Sequence, residues 1–233
     1  MQENSGFMGA LYGSTEWIMR FSVINILWFI TNLPISITIL IAFFSHPDEG
    51  FILYLLPIIL LIPTLLVPST LAMFATARDW VMKREQQSLI KSYFLYMKES
   101  YKLSFLSGLA LLFIWLIWIV DFYYFNKVND LLTMMFLVIG LLLFVYTINF
   151  FSISVHYKMT SKELMKNTFF VTVGNPLLCV FILIIHLVLI YLSFYQLLFL
   201  LPLFTGTLSA YLSFSAFHQF ALKIEKKAIV KID

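Results

Sequence analysis

Histidine is the side chain most readily recruited for proton transfer and metal binding. The chain carries four: His46, His156, His186 and His218. They lie at least 30 residues apart, which gives no sequence-local metal site. His186 stands apart because it falls inside a long apolar run. An ionisable group at such a position is a candidate functional residue. A neutral imidazole bonded to a neighbouring helix is the alternative. No carboxylate joins it at depth, and Asp121 falls near the end of an apolar run. The chain has no phosphate-binding glycine loop, no H-E-x-x-H pair and no serine elbow. The single cysteine, Cys179, cannot close an internal bridge. These residues supply no nucleotide site, no proton relay and no catalytic constellation. The expectation is a non-enzymatic protein with no cofactor and no metal.

Polar side chains inside apolar runs form a second set. Ser22, Asn25, Asn32 and Ser36 share one face of a helix, and Tyr146, Asn149, Ser152 and His156 share another. In hydrocarbon such groups need partners, so both stripes should face a helix bundle interior. Interhelical hydrogen bonds of this kind contribute about 0.6 kcal/mol each. A substrate path is the other reading of Asn25, Asn32 and Asn149. Thr205, Ser209 and Ser213 recur every fourth residue beside Gly206 and Ala210, the small-residue pattern that lets helices approach closely. Glu16 and Arg20 have the spacing of a local ion pair.

The elements that must position these groups follow from composition. Of 233 residues, 61% are hydrophobic and 12% charged, half the charge of a typical soluble domain. A helix crosses the hydrocarbon with about 20 apolar residues. Six such stretches are present: 21–44, 51–76, 103–123, 131–154, 176–195 and 197–217. They lack the alternation of a membrane barrel. The last two share one run, divided by a turn near Tyr195–Gln196. No cleavable signal peptide is evident, since nothing basic precedes Arg20. The fold class expected is an all-α membrane protein, a single six-helix transmembrane bundle.

Basic residues in short loops stay in the cytoplasm. Arg20, the segment from Arg78 to Lys102, the segment from Lys158 to Lys166, and the tail from Lys223 to Lys231 hold fourteen of the fifteen; only Lys127 falls on the opposite side. Both termini should therefore be cytoplasmic, with Asp48, Glu49, Asp121 and Asp130 outside. The net charge of +3 reflects this asymmetry. The basic residues are spread over segments facing anionic lipid, so no nucleic acid is expected as a partner. Trp17, Trp80, Trp115 and Trp118 fall near span ends, as interfacial anchors do.

Two inner loops read as amphipathic helices. Over Ser88–Lys102, Ile90, Phe94, Met97 and Tyr101 line one face, and Lys91, Lys98 and Lys102 another. In the fourth loop Thr160 and Glu163 have capping-box spacing, followed by Leu164, Met165, Phe169 and Val173, with Lys162 and Lys166 as the basic residues. Such helices rest on the inner leaflet or dock a partner. Leu89, Lys91, Phe94 and Leu103 match Leu164, Lys166, Phe169 and Leu178 at an offset of 75 residues, a faint internal repeat.

Two stretches carry a resemblance. One runs from Gly6 to Trp28 and includes Tyr12, Glu16-Trp17-Ile18-Met19-Arg20 and Asn25. The other begins at Pro68-Ser69-Thr70-Leu71-Ala72-Met73-Phe74-Ala75, continues through Arg78-Asp79-Trp80 and Phe94, and ends near Gly108. Leu164-Met165-Lys166-Asn167 and Asn175-Pro176-Leu177-Leu178 fit the same pattern. Together they resemble the YesL-like family of small bacterial membrane proteins of unknown function. The resemblance implies a bacterial plasma-membrane location and a link to oligosaccharide uptake, because the genes of such proteins lie beside sugar ABC importers and glycan hydrolases. It carries no catalytic residues. The expected function is a non-enzymatic accessory subunit that associates with the permease subunits of a carbohydrate ABC importer. An autonomous small-solute transporter or channel, and a membrane scaffold with no transported substrate, are the alternatives.

Overall fold

A computed structural model of the chain describes residues 7–44, 51–84 and 88–229. His46, Asp48, Glu49 and Lys231 lie outside the described residues. Ten α-helices and no strand are found among the described residues. They are α1 (Phe7–Thr31), α2 (Leu33–Phe44), α3 (Phe51–Leu61), α4 (Val67–Val81) and α5 (Leu89–Glu99), then α6 (Tyr101–Phe125), α7 (Asp130–His156), α8 (Ser161–Gly174), α9 (Pro176–Tyr191) and α10 (Gly206–Ile229).

Proline sets the breaks. Pro34 has no N–H and crowds the carbonyl four residues back, so the helix cannot run straight through Asn32. The axes of α1 and α2 differ by 58° there. Pro63 and Pro202 each sit at the second position of a π-helical turn, Ile62–Leu66 and Leu201–Thr205. The wider turn makes room for the ring, and the helix continues beyond it. A third π-turn, Leu192–Gln196, ends the α9 run, with Leu197 N–H donating to Leu192 O at 2.8 Å.

Among the described residues, four helical runs are long and apolar enough to cross a membrane: Leu55–Val81, Tyr101–Phe125, Asp130–His156 and Pro176–Gln196. The bent α1–α2 pair makes a fifth if it is one crossing. The expected sixth stretch, 197–217, differs. Its first residues form a turn, and α10 carries Thr207, Ser209, Ser213, Ser215 and His218, which lower its hydropathy. Lipid does not enforce an apolar surface on this helix, because it packs chiefly on α4 and α9. Ala210, Phe214 and Phe217 are buried. The core centres on α4, where twelve residues from Val67 to Trp80 are buried.

The α5 and α8 helices do not lie apart from this bundle. Tyr93 is fully buried, and its hydroxyl donates to Ser69 O at 3.3 Å on α4. Burial pushes the Tyr93 phenol up to about 12, so it remains a donor. Of the α5 stripe expected to rest on the leaflet or dock a partner, Ile90, Phe94 and Tyr101 are exposed, while Met97 faces the core with Leu89, Tyr93 and Tyr96. On α8 the inward face is Leu164, Thr168 and Thr172, and Phe169 and Val173 are exposed. The capping box forms: Thr160 N–H donates to Glu163 Oε2 at 2.9 Å, and Glu163 N–H to Thr160 Oγ1 at 3.5 Å.

The 75-residue offset reappears in the helix boundaries. Shifted by that amount, the ends of α4 and α5 fall on the ends of α7 and α8, and the start of α6 on the start of α9. Burial follows: Tyr93 and Thr168, Ser107 and Ile182, and Leu111 and His186 are buried pairs, and Phe94 and Phe169 an exposed pair.

Candidate functional site

The polar residues marked in the sequence are distributed over four separate sites. Asn25, on α1, spans the break before α10. Its amide donates to Leu201 O at 3.2 Å and Pro202 O at 2.7 Å, and its oxygen accepts from Thr207 N–H at 3.0 Å. Leu201 and Pro202 belong to the π-turn, and Thr207 to the first turn of α10. Asn32, at the α1–α2 bend, donates to Trp28 O and to Ser69 Oγ, both at 2.8 Å. Asn149, on α7, donates to Thr172 Oγ1 at 3.1 Å on α8. His186, on α9, bonds Ile182 O through Nδ1 at 2.8 Å and Ser209 Oγ through Nε2 at 2.6 Å. A carbonyl only accepts, so Nδ1 carries the proton. In the neutral ring Nε2 then accepts, and the Ser209 hydroxyl donates to it.

The small-residue stripe of α10 is likewise turned inward. Thr205 bonds Ser193 Oγ at 2.7 Å, Ser209 meets His186, and Ser213 is fully buried. Lys91, Lys98, Lys102, Lys162 and Lys166 are exposed. Of the tryptophans, Trp115 donates to Thr147 Oγ1 at 3.1 Å and Trp118 to Phe136 O at 2.8 Å, joining α6 to α7. Glu16 and Arg20 form their ion pair.

A further cluster brings together residues that spacing alone did not connect. Asp79, near the end of α4, is only 2% exposed. Arg78 donates to Asp79 Oδ1 from Nε at 2.9 Å and from Nη2 at 2.7 Å. Its Nη1 donates to Val155 O at 2.7 Å. Val155 is next to last in α7, so its carbonyl lacks an intrahelical partner, and a cation there also complements the helix dipole. The Tyr96 hydroxyl donates to Asp79 Oδ2, and the Arg78 guanidinium lies 5.5 Å from the Tyr96 ring centroid. Arg84 Nη1 approaches Asp79 Oδ1 at 3.9 Å. The signal was Arg78-Asp79-Trp80 directly after an apolar run, quoted above only as part of a resemblance.

This cluster forms one wall of an open cleft of about 650 Å³. The floor and far wall come from α5, the start of α6 and the end of α7: Glu99, Ser100, Ser154, His156, Tyr157 and Lys158. Ser154 Oγ is buried with no hydrogen-bond partner among the described residues. The His156 ring lies 5.5 Å from that of His218, whose Nδ1 is also buried and unpartnered. Burial, with Glu225 nearby, raises the pKa of the Tyr157 phenol. Among the described residues, no group of His, Cys, Asp or Glu could hold a metal ion. The chemistry available is charge recognition: guanidinium, ammonium, imidazole and hydroxyl groups around an open cleft.

No curated protein and no solved structure matches the chain. Residues 21–122, which run from α1 through most of α6 and include the Arg78–Asp79–Tyr96 wall of the cleft, match the model of a family described as a protein of unknown function, DUF624.

Proposed function

We propose that the chain is a non-enzymatic accessory membrane protein of the YesL-like kind, which associates with the permease subunits of an oligosaccharide ABC importer in a bacterial plasma membrane. In this reading it crosses the bilayer six times, with α1–α2, α3–α4, α6, α7, α9 and α10 as the passes and both termini inside. The basic ends of α4, α7 and α10 would share the cytoplasmic side, and Lys127 would lie outside.

The observation that carries the accessory reading over an autonomous carrier is how the interior polar groups are used. Asn25, His186, Thr205 and Ser209 and the amide N–H groups of Asn32 and Asn149 are each hydrogen-bonded within the chain, while the Asn32 and Asn149 oxygens are buried with no partner among the described residues. A carrier keeps polar groups available to substrate near the midplane. Here those groups join helices to one another. The partner surface in this reading is the exposed apolar face of α8 and α9, with Phe169, Phe170, Val173 and Leu177.

The test is a deletion strain assayed for oligosaccharide uptake, together with a mild-detergent pull-down of the tagged chain from cells grown on a glycan. Reduced uptake with recovery of importer permease subunits is the expected result. Normal uptake with no permease recovered would remove the importer link and leave the scaffold reading. Solute flux in liposomes holding the chain alone would favour the transporter.

A further inference from the structure

The cleft between the ends of α4 and α7 is unlike the other large grooves on the molecule. The grooves along α6–α9 are lined almost wholly by apolar side chains, as lipid-facing grooves should be. The cleft gathers Arg78, Arg84, His156, Lys158, Tyr96, Ser100 and Ser154, with Glu99 and Asp79 as its carboxylates. The Asp79 charge is compensated by Arg78, which is also fixed to Val155 O. Glu99 faces one of the remaining cations, and Glu225 lies beside His156 and Tyr157 at the edge of the cleft, so Arg84 and Lys158 are the cations left to meet a ligand.

Its donors are only partly engaged. The Arg84 side chain is 54% exposed, and its ion pair with Asp79 is long, at 3.9 Å. Lys158 is exposed and has no hydrogen bond or ion pair among the described residues. The buried Ser154 hydroxyl is unpartnered. A buried polar group left unpaired is destabilising, and a ligand oxygen at that position would remove the penalty. The cleft also lies where the two segments related by the 75-residue offset meet, with Ser154 as the counterpart of Asp79. Ligand sites often form at such junctions between repeats, and the volume falls in the range of small-molecule sites.

We propose that this cleft binds a phosphoryl group through Arg84, Lys158 and the Ser154 hydroxyl, with Arg78 as the fixed cation behind them. A tetrahedral dianion or monoanion with several acceptor oxygens matches convergent guanidinium, ammonium and hydroxyl donors. The group belongs either to an anionic lipid whose headgroup enters the cleft from the inner leaflet or to a phosphorylated small solute from the cytoplasm. The chemistry is common to both, and the site stands whether or not an importer is the partner.

The experiment uses the full chain in neutral detergent and in nanodiscs. Glycerol 3-phosphate and inorganic phosphate are titrated by thermal shift. Retention of phosphatidylglycerol over phosphatidylcholine is read by native mass spectrometry. Lys158→Gln and Arg84→Gln should each weaken binding about tenfold, the effect of losing one charge-assisted hydrogen bond. Lys158→Arg should restore it, and Lys162→Gln, outside the cleft, should leave it unchanged. Saturable binding of the soluble phosphates, with no selective lipid retention, identifies a solute site. Selective phosphatidylglycerol retention that is lost in Lys158→Gln identifies a headgroup site. The proposal is overturned if the folded wild type shows neither, or if both cleft variants bind as the Lys162→Gln control does.

Discussion

Replacing Asn25 by alanine tests whether side-chain amides hold the broken helices together. The Asn25 side chain satisfies three backbone groups at once: Leu201 O, Pro202 O and Thr207 N–H. Asn25 is 1% exposed and Thr207 fully buried, so water does not readily replace it. Each stranded backbone group destabilises by about 1 kcal/mol or more. Three together give about 3 kcal/mol, less what the π-turn recovers by tightening to α-helical bonding. Pro202 limits that recovery, since its ring opposes an ordinary turn.

A second variant separates donor from acceptor. Asn25→Asp keeps an oxygen for Thr207 N–H but turns the donor that faces two carbonyls into an acceptor. It should be at least as harmful as alanine when ionised, and milder at low pH, where the protonated acid can donate once. The assay is thermal unfolding in detergent combined with hydrogen exchange at residues 203–207. Thr38→Ala, whose hydroxyl bonds an exposed carbonyl within its own helix, serves as the control and should change little. If Asn25→Ala matched that control in both stability and exchange, the amide would not be bracing the break.

The same interior supports further expectations. A Cβ built on Gly140 would lie 2.3 Å from Trp118 Cζ2, so Gly140→Ala should destabilise by about 2 kcal/mol through overpacking, and Trp118→Phe should relieve part of the loss in an unfolding assay. His186→Leu and Ser209→Ala should each lower stability, and the double variant should lose about 1 kcal/mol less than the sum, because the two share one bond. Cysteine at Val128 should be labelled from outside intact cells and cysteine at Lys162 only after permeabilisation; outside labelling of the second would overturn the six-pass topology. Bonding to Thr160 lowers the Glu163 pKa. The capping box therefore stabilises α8 above the unfolded-state carboxylate pKa and is lost as pH falls through the lower folded value. Exchange at Lys162–Met165 should then rise on acidification, and in Glu163→Gln it should not depend on pH over that window.

Much of the helix map was legible in the sequence because bilayer thickness sets a length. The third and fourth stretches, 103–123 and 131–154, differ from α6 and α7 by about two residues at each end. The capping box at Thr160 was equally plain, since it needs only two residues three apart. The prolines were less plain: Pro34, Pro63 and Pro202 lie at a bend or a widened turn, whereas Pro57 and Pro68 sit within α3 and α4. On α5 the stripe of Ile90, Phe94 and Tyr101 is exposed, as a face resting on lipid or docking a partner must be. The apolar spacing did not reveal the other face, where Tyr93 is fully buried and Tyr96 and Met97 pack on the core, because beside lipid an outward face is apolar too. Asp79 was missed because a carboxylate beside an arginine at a span end resembles a surface pair. Its partners come from α5, through Tyr96, and its neighbour Arg78 is held by Val155 on α7, contacts that apolar spacing does not reveal.

Asn25 and Asn32 show how the polar stripe and the proline breaks depend on each other. They lie seven residues apart, two helical turns, and so share one face of α1. One sits at the bend before Pro34 and ties the end of α1 to Ser69 on α4. The other reaches across to the break that Pro202 makes before α10. A π-turn or a kink exposes carbonyls that hydrocarbon cannot solvate, and a side chain, a neighbouring helix or the local turn itself must re-satisfy them. A side-chain amide suits this, since it donates twice and accepts at the same place. The prolines that weaken the apolar runs and the asparagines that interrupt them are two halves of one arrangement. Changing Pro202 to alanine should therefore make Asn25 less necessary, while leaving the need for Asn32 unchanged.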